Sequence, residues 1–409
     1  MWRKNSRFLF IYKGIISLST QSTVIIIKEY IKGEYNMKFQ IKKEVFLKGL
    51  NNVSKALSTK NLIPILSGIK LNLTNEGLFL TASDNDIGIE TFIPADKLEK
   101  IEETGKTVIQ GRYLLEIIRK LESSVINITL LDDIKVLISC GKSEFNLNCM
   151  EYDEFPNLNM EEQKDPIVIK EEDFKDIINK VSFAVSTQET RPILTGINFK
   201  IKDDKLECVS TDSYRLAKKT LKIESNIKEE VNVAIPGKNL IELTKILEND
   251  KKNIEMHIFS NKVLFKFENT MFQTRVLGGN FPNVERLIPD TFELVVKLNK
   301  NEFYNVIDRA ALLTSEKDKN IVKFELNDGE LLVSSNTPEI GKVEEKMSVE
   351  KNTDENIKIA FSSRFMMDAL RTINSEDVLL NFNGDVKPII ILDERDKNLL
   401  QLILPIKTY

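Results

Sequence analysis

Apolar residues recur along this chain with two spacings, one typical of helices and one typical of strands. Phe46, Leu50 and Val53 lie three or four residues apart, so they form a single apolar stripe on an amphipathic helix. After the helical segment, apolar and polar residues alternate, which predicts strands. The predicted first helices are Val45–Leu57, Asp173–Val185 and Glu302–Leu313, and the strands that follow include Gly77–Thr81 and Lys205–Val209.

A second helix and a second group of strands complete each of these segments. Each segment thus contains two helices and about eight strands, and each helix needs a sheet face to cover its apolar stripe. The fold class predicted is therefore α+β, with two helices packed on antiparallel sheets in every segment. The second helices are predicted at Gly111–Leu121, Gly237–Leu247 and Ser363–Ile373, and further strands at Asn127–Cys140 and Asn253–Phe267.

The segments are repeats of one unit with a period of domain length. The sequence Pro64–Ile69 returns as Pro192–Ile197, 128 residues later, and Phe155–Leu158 returns as Phe281–Val284, 126 residues later. We therefore divide the body of the chain into repeat one (37–160), repeat two (161–290) and repeat three (291–409).

Basic residues occupy matching positions on the three predicted second helices. Two basic residues on each helix are seven residues apart, and seven residues bring an α-helix close to two full turns. Both side chains therefore project from one face, opposite the apolar residues. This pattern fits an ordinary solvated surface, but its threefold recurrence favours a surface that binds a polyanion through sequence-independent phosphate contacts. The pairs are Arg112 and Arg119, Lys238 and Lys245, and Arg364 and Arg371.

We expect no aromatic residues among the basic positions of these helices. The sequence therefore does not indicate a surface on which the bases of single-stranded nucleic acid would stack. The net charge is −4, from 58 basic and 62 acidic residues, which excludes a broadly basic coat but not a local basic surface. Three cysteines without a CxxC pair indicate a reducing compartment.

The chain lacks most of the residues that catalysis or metal binding would need. Its one histidine, His257, excludes His-rich metal sites and nearly all catalytic triads, and we interpret it as a structural or surface histidine. Asp84 and Asp86 are better explained by a polar turn than by a metal site. No phosphate-binding glycine motif is present. We predict no catalytic residue, no metal and no cofactor.

The first 36 residues differ from the rest. They carry six basic residues among short apolar runs, none of which approaches the roughly 20 residues that span a bilayer. Lys13 interrupts the one candidate signal segment. We predict a disordered leader or an over-extended gene start, with Met37 opening the first regular structure.

Taken in order, these motifs identify a family. Three tandem α+β repeats, the two Pro-Ile-Leu segments, the two Phe-Pro-Asn segments, Thr211–Leu216 and the terminal Leu404–Ile406 resemble the bacterial DNA polymerase III beta subunit, the sliding clamps. The resemblance covers residues 37–409. It implies a head-to-tail homodimer in which six similar domains form a ring around duplex DNA.

The resemblance also implies which residues carry the function. The expected DNA contacts are Lys60, Arg112, Arg119, Lys120, Gln188, Lys238, Lys245, Arg364 and Arg371. The expected pocket for partner peptides, an apolar cleft edged by guanidinium and hydroxyl groups, uses Leu194, Thr211, Ser213, Tyr214, Arg215, Leu216, Pro282, Arg286, Leu287, Val386, Pro388, Ile403, Leu404, Pro405 and Ile406. The expected dimer joint uses Phe145, Leu147, Leu312 and Leu313.

The function expected is that of a non-catalytic processivity factor in the cytoplasm, associated with the nucleoid. Its partners would be double-stranded DNA, a second copy of the chain, the polymerase alpha subunit, a clamp loader and other proteins that carry a clamp-binding motif, with no membrane partner. Two alternatives stay open at this point. One is a repeat-built scaffold that binds peptides without DNA, and the other is a carboxylate-metal nuclease that uses Asp84, Asp86 or Asp212.

Overall fold

The structure is a computed structural model. It describes residues 37–57, 63–122, 124–132, 134–224, 229–248, 251–315, 320–338 and 340–407. The predicted leader, residues 1–36, lies outside this range. The described residues form two compact units: unit one runs to Asn159 and includes Asn269–Met271, and unit two comprises Met160–Glu268 and the residues from Phe272 onward.

Unit one contains repeat one, in which two helices cover antiparallel strands. The strand order is β4-β3-β2-β6-β9-β8-β7-β1-β5. Phe46, Leu50 and Val53 are fully buried, as the predicted apolar stripe requires. The helices are α1 (Lys43–Val53) and α2 (Gly111–Lys120), and the strands are β1 (Met37–Lys42), β2 (Gly68–Thr74), β3 (Gly77–Ser83), β4 (Ile87–Pro94), β5 (Leu98–Glu103), β6 (Gly105–Gln110), β7 (Val125–Asp132), β8 (Lys135–Cys140) and β9 (Ser143–Met150).

A glycine lets α1 pack closely on the sheet. A Cβ atom added at Gly49 would stand 2.8 Å from a methyl carbon of Leu80 on β3 and 3.1 Å from one of Ile93 on β4. Such contacts are shorter than packed carbon atoms tolerate. A side chain at this position would therefore force the methyl groups of Leu80 and Ile93 to move.

Unit two contains the other two repeats. Its helices are α3 (Glu171–Val181), α4 (Gly237–Thr244), α5 (Lys300–Ala311) and α6 (Ser363–Arg371). Its strands are β10 (Ile167–Lys170), β11 (Gly196–Lys202), β12 (Lys205–Thr211), β13 (Arg215–Lys222), β14 (Val231–Pro236), β15 (Asn253–Ile258), β16 (Lys262–Phe267), β17 (Thr270–Arg275, counted with unit two from Phe272), β18 (Leu294–Asn299), β19 (Ile321–Asn327), β20 (Glu330–Thr337), β21 (Gly341–Ser348), β22 (Glu350–Lys351), β23 (Ile357–Ser362), β24 (Asp377–Phe382), β25 (Ile389–Asp393) and β26 (Leu399–Ile403).

One sheet joins repeat two to repeat three within unit two. Its order is β14-β11-β12-β13-β26-β25-β24-β18-β22, and the junction is the antiparallel pair β13 and β26, in which Arg215 lies opposite Ile403. Apolar side chains from both repeats, including Leu216 and Ile390, form one buried cluster beneath that junction. Two four-stranded sets, β10-β15-β16-β17 and β21-β20-β19-β23, complete the unit.

Lysines from the first helices bind the carboxyl ends of the second helices. The Lys43 ammonium group donates to the carbonyl oxygens of Arg119 and Leu121. In repeat two, Lys175 donates to the Leu247 carbonyl oxygen at 3.1 Å, and in repeat three Lys300 donates to that of Ile373 at 3.0 Å. A cation at this end satisfies carbonyl groups that the helix leaves unpaired and opposes the helix dipole. The three accepting positions, 121, 247 and 373, are 126 residues apart.

Candidate functional site

Helix α2 presents its basic residues on the face away from the core. Arg112, Arg119 and Lys120 are exposed, while Leu114 and Ile118 are fully buried. The Arg112 side chain is 77% exposed and lies 3.7 Å from the Glu116 carboxylate one turn later. Arg119 instead donates a hydrogen bond of 2.8 Å to the Asn51 amide oxygen. The predicted orientation of this pair is therefore confirmed.

Helix α4 carries the equivalent pair with one difference. Lys238 is exposed in the first turn, but the helix ends at Thr244, so Lys245 is the residue that caps it. The prediction that this helix extends to Leu247 is wrong, although the backbone of Lys245 is still helical and its side chain remains exposed. The Lys245 ammonium lies 2.6 Å from the Glu242 carboxylate.

Helix α6 carries the third pair, Arg364 and Arg371, and both side chains are exposed. Arg371 is held by two neighbours. Its Nη1 lies 3.2 Å from Asp368 Oδ1, one turn earlier on the helix, and its Nε and Nη2 donate to the Tyr304 hydroxyl at 3.0 and 2.6 Å. The recurring second position of each pair therefore has a polar or acidic partner in every repeat.

Two further residues are expected at this surface, Gln188 and Lys60. Gln188 is exposed in a turn in which its backbone N–H donates to the Ser186 hydroxyl at 3.1 Å. Lys60 lies outside the described residues.

The expectation that no aromatic residue accompanies the basic positions is wrong. Tyr113 follows Arg112 directly on α2 and is 51% exposed. Tyr304 on α5 contacts Arg371, whose guanidinium carbon lies 5.5 Å from the ring centre. The signal for Tyr113 is visible in the sequence as an aromatic residue beside a basic one, whereas Tyr304 lies 67 residues before Arg371 and has no such signal.

Several residues of the expected partner pocket lie at the junction of β13 and β26. Leu404, just beyond β26, donates its backbone N–H to the Tyr214 carbonyl oxygen at 2.8 Å. Leu216 and Leu402 lie opposite each other in the strand pair and are both buried. The members that the core buries are Leu194, Thr211, Arg215, Leu216 and Ile403; those partly or fully exposed are Ser213, Tyr214, Pro282, Arg286, Leu287, Val386, Pro388, Leu404, Pro405 and Ile406.

Tyr214 is exposed because of the turn that precedes it. The Asp212 carboxylate accepts hydrogen bonds from the backbone N–H groups of Tyr214 and Arg215 at 2.9 and 3.0 Å. Ser213, between Asp212 and Tyr214, has a φ of 78°, in the left-handed region. This geometry directs the Tyr214 ring outward, where it is 62% exposed.

The same turn occurs in repeat one, where it bears on the interpretation of Asp84 and Asp86 as metal ligands. There Asp84 Oδ1 accepts from the N–H groups of Asp86 and Ile87 at 3.0 and 2.9 Å, and Asn85 has a φ of 77°. Carboxylate oxygens that hold a turn together serve a structural purpose that needs no metal ion. The interpretation of Asp84 as part of a polar turn is confirmed.

Arg215 does not edge the cleft as a free guanidinium group. It is 9% exposed, with Nε 3.0 Å from Asp212 Oδ2 and Nη1 2.8 Å from Asp368 Oδ2. Its guanidinium also lies over the Phe365 ring at 4.4 Å. Arg286, in the turn that follows the buried Val284, is exposed instead.

The residues expected at a dimer joint lie in both units, two on strand β9 and two directly after helix α5. In unit one, Phe145 is 37% exposed on β9, which pairs with β6 only at Cys149 and Met150. In unit two, β21 is the outer strand of its set, and the nearby Leu312 is 77% exposed. Leu147 and Leu313 are partly buried. An unpaired strand edge beside exposed apolar side chains is suited to pairing with another chain.

One group of side chains within the described ranges brings possible metal ligands together. Ligand atoms of Glu162, Glu255 and His257 lie within 4.8 Å of one another. However, His257 Nδ1 accepts the backbone N–H of Gln163 at 2.9 Å, so the neutral ring carries its hydrogen on Nε2. A nitrogen that bears hydrogen has no lone pair for a metal. His257 is buried, so of the two predicted alternatives the structural one is confirmed.

The cysteines and the helices of the described residues were also compared with the expectations from the sequence. Cys140 and Cys208 are buried, Cys149 is partly buried, and none forms a disulfide bond. Burial, with a smaller effect of Glu207, raises the pKa of the Cys208 thiol well above its usual value, which makes it a poor nucleophile. No helix in the described part of the chain has both the length and the apolar character that crossing a membrane requires.

Comparison with known families supports a single assignment for the whole body of the chain. Residues 37–159 match the family model for the DNA polymerase III beta subunit N-terminal domain. Residues 168–283 match the central domain of the same subunit, and residues 285–407 match its C-terminal domain.

Individual relatives agree with the family models over their full length. The chain is 40% identical to the beta sliding clamps of Staphylococcus aureus (strain Mu50) and Bacillus subtilis (strain 168), over 91% of this chain and 100% of each relative. The crystal structure of the Bacillus subtilis DNA polymerase sliding clamp is similar, with a TM-score of 0.87, 39% identity and the same coverage. A beta chain from Streptococcus pneumoniae has a TM-score of 0.87 at 33% identity.

Proposed function

The chain belongs to the DNA polymerase III beta subunit family, and we propose that it is the sliding clamp that encircles duplex DNA and tethers the replicative polymerase. The observation that carries this function is the match of all three domains, at 40% identity, across the whole length of proteins named beta sliding clamp. The clamp is a non-catalytic subunit, and its contribution to DNA replication is processivity.

The mechanism is topological. Two copies of the chain, each with three domains, close head to tail into a ring of six domains, and a closed ring leaves a circular duplex only by opening. The exposed edges of β9 and β21, with Phe145 and Leu312 beside them, are the surfaces proposed to pair. An ATP-dependent clamp loader would open this joint, because the chain has no phosphate-binding glycine motif of its own.

The basic helices α2, α4 and α6 are proposed to contact the DNA backbone. Arg112, Lys238 and Arg364 are each exposed in the first turn of their helix, 126 residues apart. Lys120 and Gln188 are proposed to add contacts. Lysine and arginine bind phosphates without reading the base sequence, and this allows the ring to slide. The acidic net charge of −4 is compatible with this function if the basic residues are concentrated on the inner surface.

The cleft at the β13–β26 junction is proposed to hold the clamp-binding peptides of the polymerase alpha subunit, the clamp loader and other DNA-handling proteins. Tyr214, Leu287 and Val386 provide exposed apolar surface around a buried floor, and Arg286 provides a cation at the rim. Such a cleft fits a short peptide with apolar anchors and a polar or acidic end. A tethered polymerase gains from the high effective concentration of the primer end. We place the protein in the cytoplasm, where its free cysteines would stay reduced.

The test of encirclement uses clamp loaded onto nicked circular DNA. The clamp should remain on the circle during gel filtration in moderate salt and should be lost rapidly once a restriction enzyme linearises the DNA. Retention on linear DNA with free ends would contradict a sliding ring, since a ring held only by topology leaves from an end.

A charge-reversal experiment separates the clamp from a peptide-binding scaffold. The triple variant Arg112→Glu, Lys238→Glu, Arg364→Glu should abolish loading but leave peptide affinity within about twofold, because the three exposed side chains are not among the residues of the cleft. The matched control reverses three lysines outside these helices and outside the proposed joint, all of them exposed, with the same change in net charge: Lys97→Glu, Lys205→Glu and Lys358→Glu. Equal loading by the two triple variants would refute the proposed DNA surface.

A further inference from the structure

We propose that Tyr304 and Arg371 act together as one phosphate-contact site, with Asp368 as the residue that positions the guanidinium. This site deepens the proposed function, on which it rests, because it adds a DNA contact on the first helix of repeat three. Tyr304 belongs to α5 and Arg371 to α6, so the site joins both helices of that repeat.

The Arg371 guanidinium is already oriented in the absence of DNA. Two of its nitrogens, Nε and Nη2, donate to the single hydroxyl oxygen of Tyr304, at 3.0 and 2.6 Å. These two nitrogens are the pair that binds a phosphate or a carboxylate through two parallel hydrogen bonds. The side chain is 58% exposed, and Nη2 carries a second hydrogen besides the one it donates to Tyr304, so an N–H remains for a ligand.

The Tyr304 hydroxyl has a hydrogen left to donate. Its oxygen accepts both N–H groups of Arg371, and a phenolic hydroxyl also carries one hydrogen of its own. A ligand that approaches this point must therefore accept hydrogen bonds and carry negative charge. A backbone phosphate meets both requirements, since it can accept the Tyr304 O–H together with an Arg371 N–H, and a charge-assisted hydrogen bond is stronger than a neutral one.

Asp368 fixes the opposite side of the guanidinium. Its Oδ1 accepts from Arg371 Nη1 at 3.2 Å, while its Oδ2 accepts from the buried Arg215 at 2.8 Å. Because Arg215 holds the second oxygen, the carboxylate cannot turn to follow Arg371. The contact thus leaves Nε and Nη2 facing Tyr304 and reduces the rotamer freedom that Arg371 would lose when it binds.

The experiment measures binding of a fluorescein-labelled duplex by anisotropy over a range of salt concentrations. Tyr304→Phe keeps the aromatic ring and removes only the hydroxyl, so affinity should fall about 2- to 10-fold at every salt concentration while the salt slope stays unchanged. Arg371→Gln should reduce the magnitude of the slope by about 0.9 for each phosphate that the variant no longer neutralises. In the Arg371→Gln background, Tyr304→Phe should have little further effect.

The matched control is Tyr152→Phe, which removes the hydroxyl of another partly buried tyrosine, outside the basic helices and the cleft, and should not change duplex affinity. Wild-type affinity for Tyr304→Phe, or independent effects of the two substitutions, would overturn the site. Failure of the wild type itself to bind and retain DNA would overturn the proposed function instead. The two failures are therefore distinguishable.

If Asp368 positions Arg371, its substitution should change duplex affinity in the direction opposite to that expected from simple charge repulsion. Asp368→Asn removes a negative charge near the DNA, so tighter duplex binding would result if the carboxylate only repelled phosphate. If it positions Arg371, binding should weaken about 2- to 10-fold, and Asp368→Glu should restore part of the affinity. Tighter binding by Asp368→Asn would overturn the positioning role. A thermal melt of each variant separates these effects from a loss of folding.

Discussion

A buried carboxylate between two lysines provides the sharpest test of what holds repeat two against repeat three inside unit two. Asp396, in the loop between β25 and β26, lies 2.8 Å from the Lys180 ammonium on α3, and Lys219 on β13 donates to the same oxygen. The side chains of Lys180 and Asp396 are only 7% and 17% exposed. The perturbation is Asp396→Asn, which keeps the shape and removes the charge.

The expected loss of stability follows from what the substitution leaves behind. Two ammonium groups would face each other in a site with little water, and removing one member of a buried ion pair costs about 3–5 kcal/mol. Lys180 keeps a second partner, because Asp176 lies 3.4 Å away on the same helix. We therefore expect the lower end, about 3 kcal/mol. For a unit of this size that corresponds to a fall in melting temperature of about 6–12 °C.

Differential scanning calorimetry of the full chain measures this change. The control is Glu330→Gln, which neutralises a carboxylate in an exposed pair with Lys346, also in unit two, whose side chains are 57% and 63% exposed. An exposed pair contributes about 0–1 kcal/mol, so the control should shift the transition by no more than about 2–4 °C. Equal shifts in the two variants would show that the Asp396 site is as well solvated as the surface and would refute the reasoning.

Three further predictions concern pH and assembly. Burial opposes ionisation of Asp396, but hydrogen bonds from Lys180 and Lys219 outweigh it and hold its pKa below the usual value. The contribution of this carboxylate to folding stability is therefore present above about pH 4 and is lost as the pH falls further. The melting temperatures of wild type and Asp396→Asn should converge in acid. Burial lowers the pKa of His257, so the unfolded chain takes up the proton first and stability declines below about pH 6.5; urea midpoints of His257→Gln should change less between pH 7.5 and 5.5 than those of the wild type. Combining Leu312→Ala with Leu313→Ala should convert the dimer to monomer in sedimentation velocity, and a persistent dimer would show that the joint lies elsewhere.

Local periodicity was enough to place the helices and strands, though not their ends. The first helix was predicted at Val45–Leu57, but α1 starts two residues earlier and gives way to a 3-10 turn after Val53. The early residues, Lys43 and Glu44, are polar, so an apolar stripe carries no signal for them. In α4 the apolar residues beyond Thr244 suggested a longer helix, yet they are buried in a turn whose last carbonyl Lys175 binds.

The orientation of the basic residues was predictable because helix geometry is local. Burying Leu114 and Ile118 forces Arg112 and Arg119 to the opposite side whatever the tertiary structure does. The partners of the charged groups were not predictable in this way. Arg215 was expected at the rim of the cleft, but Asp368, 153 residues away, draws it into the interior. Many acidic residues could have filled that place, and the sequence alone does not distinguish them.

The second basic residue of each pair has a hydrogen-bond or ion-pair partner within the protein. Arg119 donates to a neutral amide, Lys245 pairs with Glu242, and Arg371 is held by Asp368. Each partner competes with a phosphate, which lowers the net gain from contact, and each also restrains the side chain before contact. A ring retained by topology needs contacts that form and break easily as it moves. In the proposed ring, partnered cations lose little freedom on contact, and each regains its protein partner when the phosphate leaves, which allows the contacts to form and break as the ring slides.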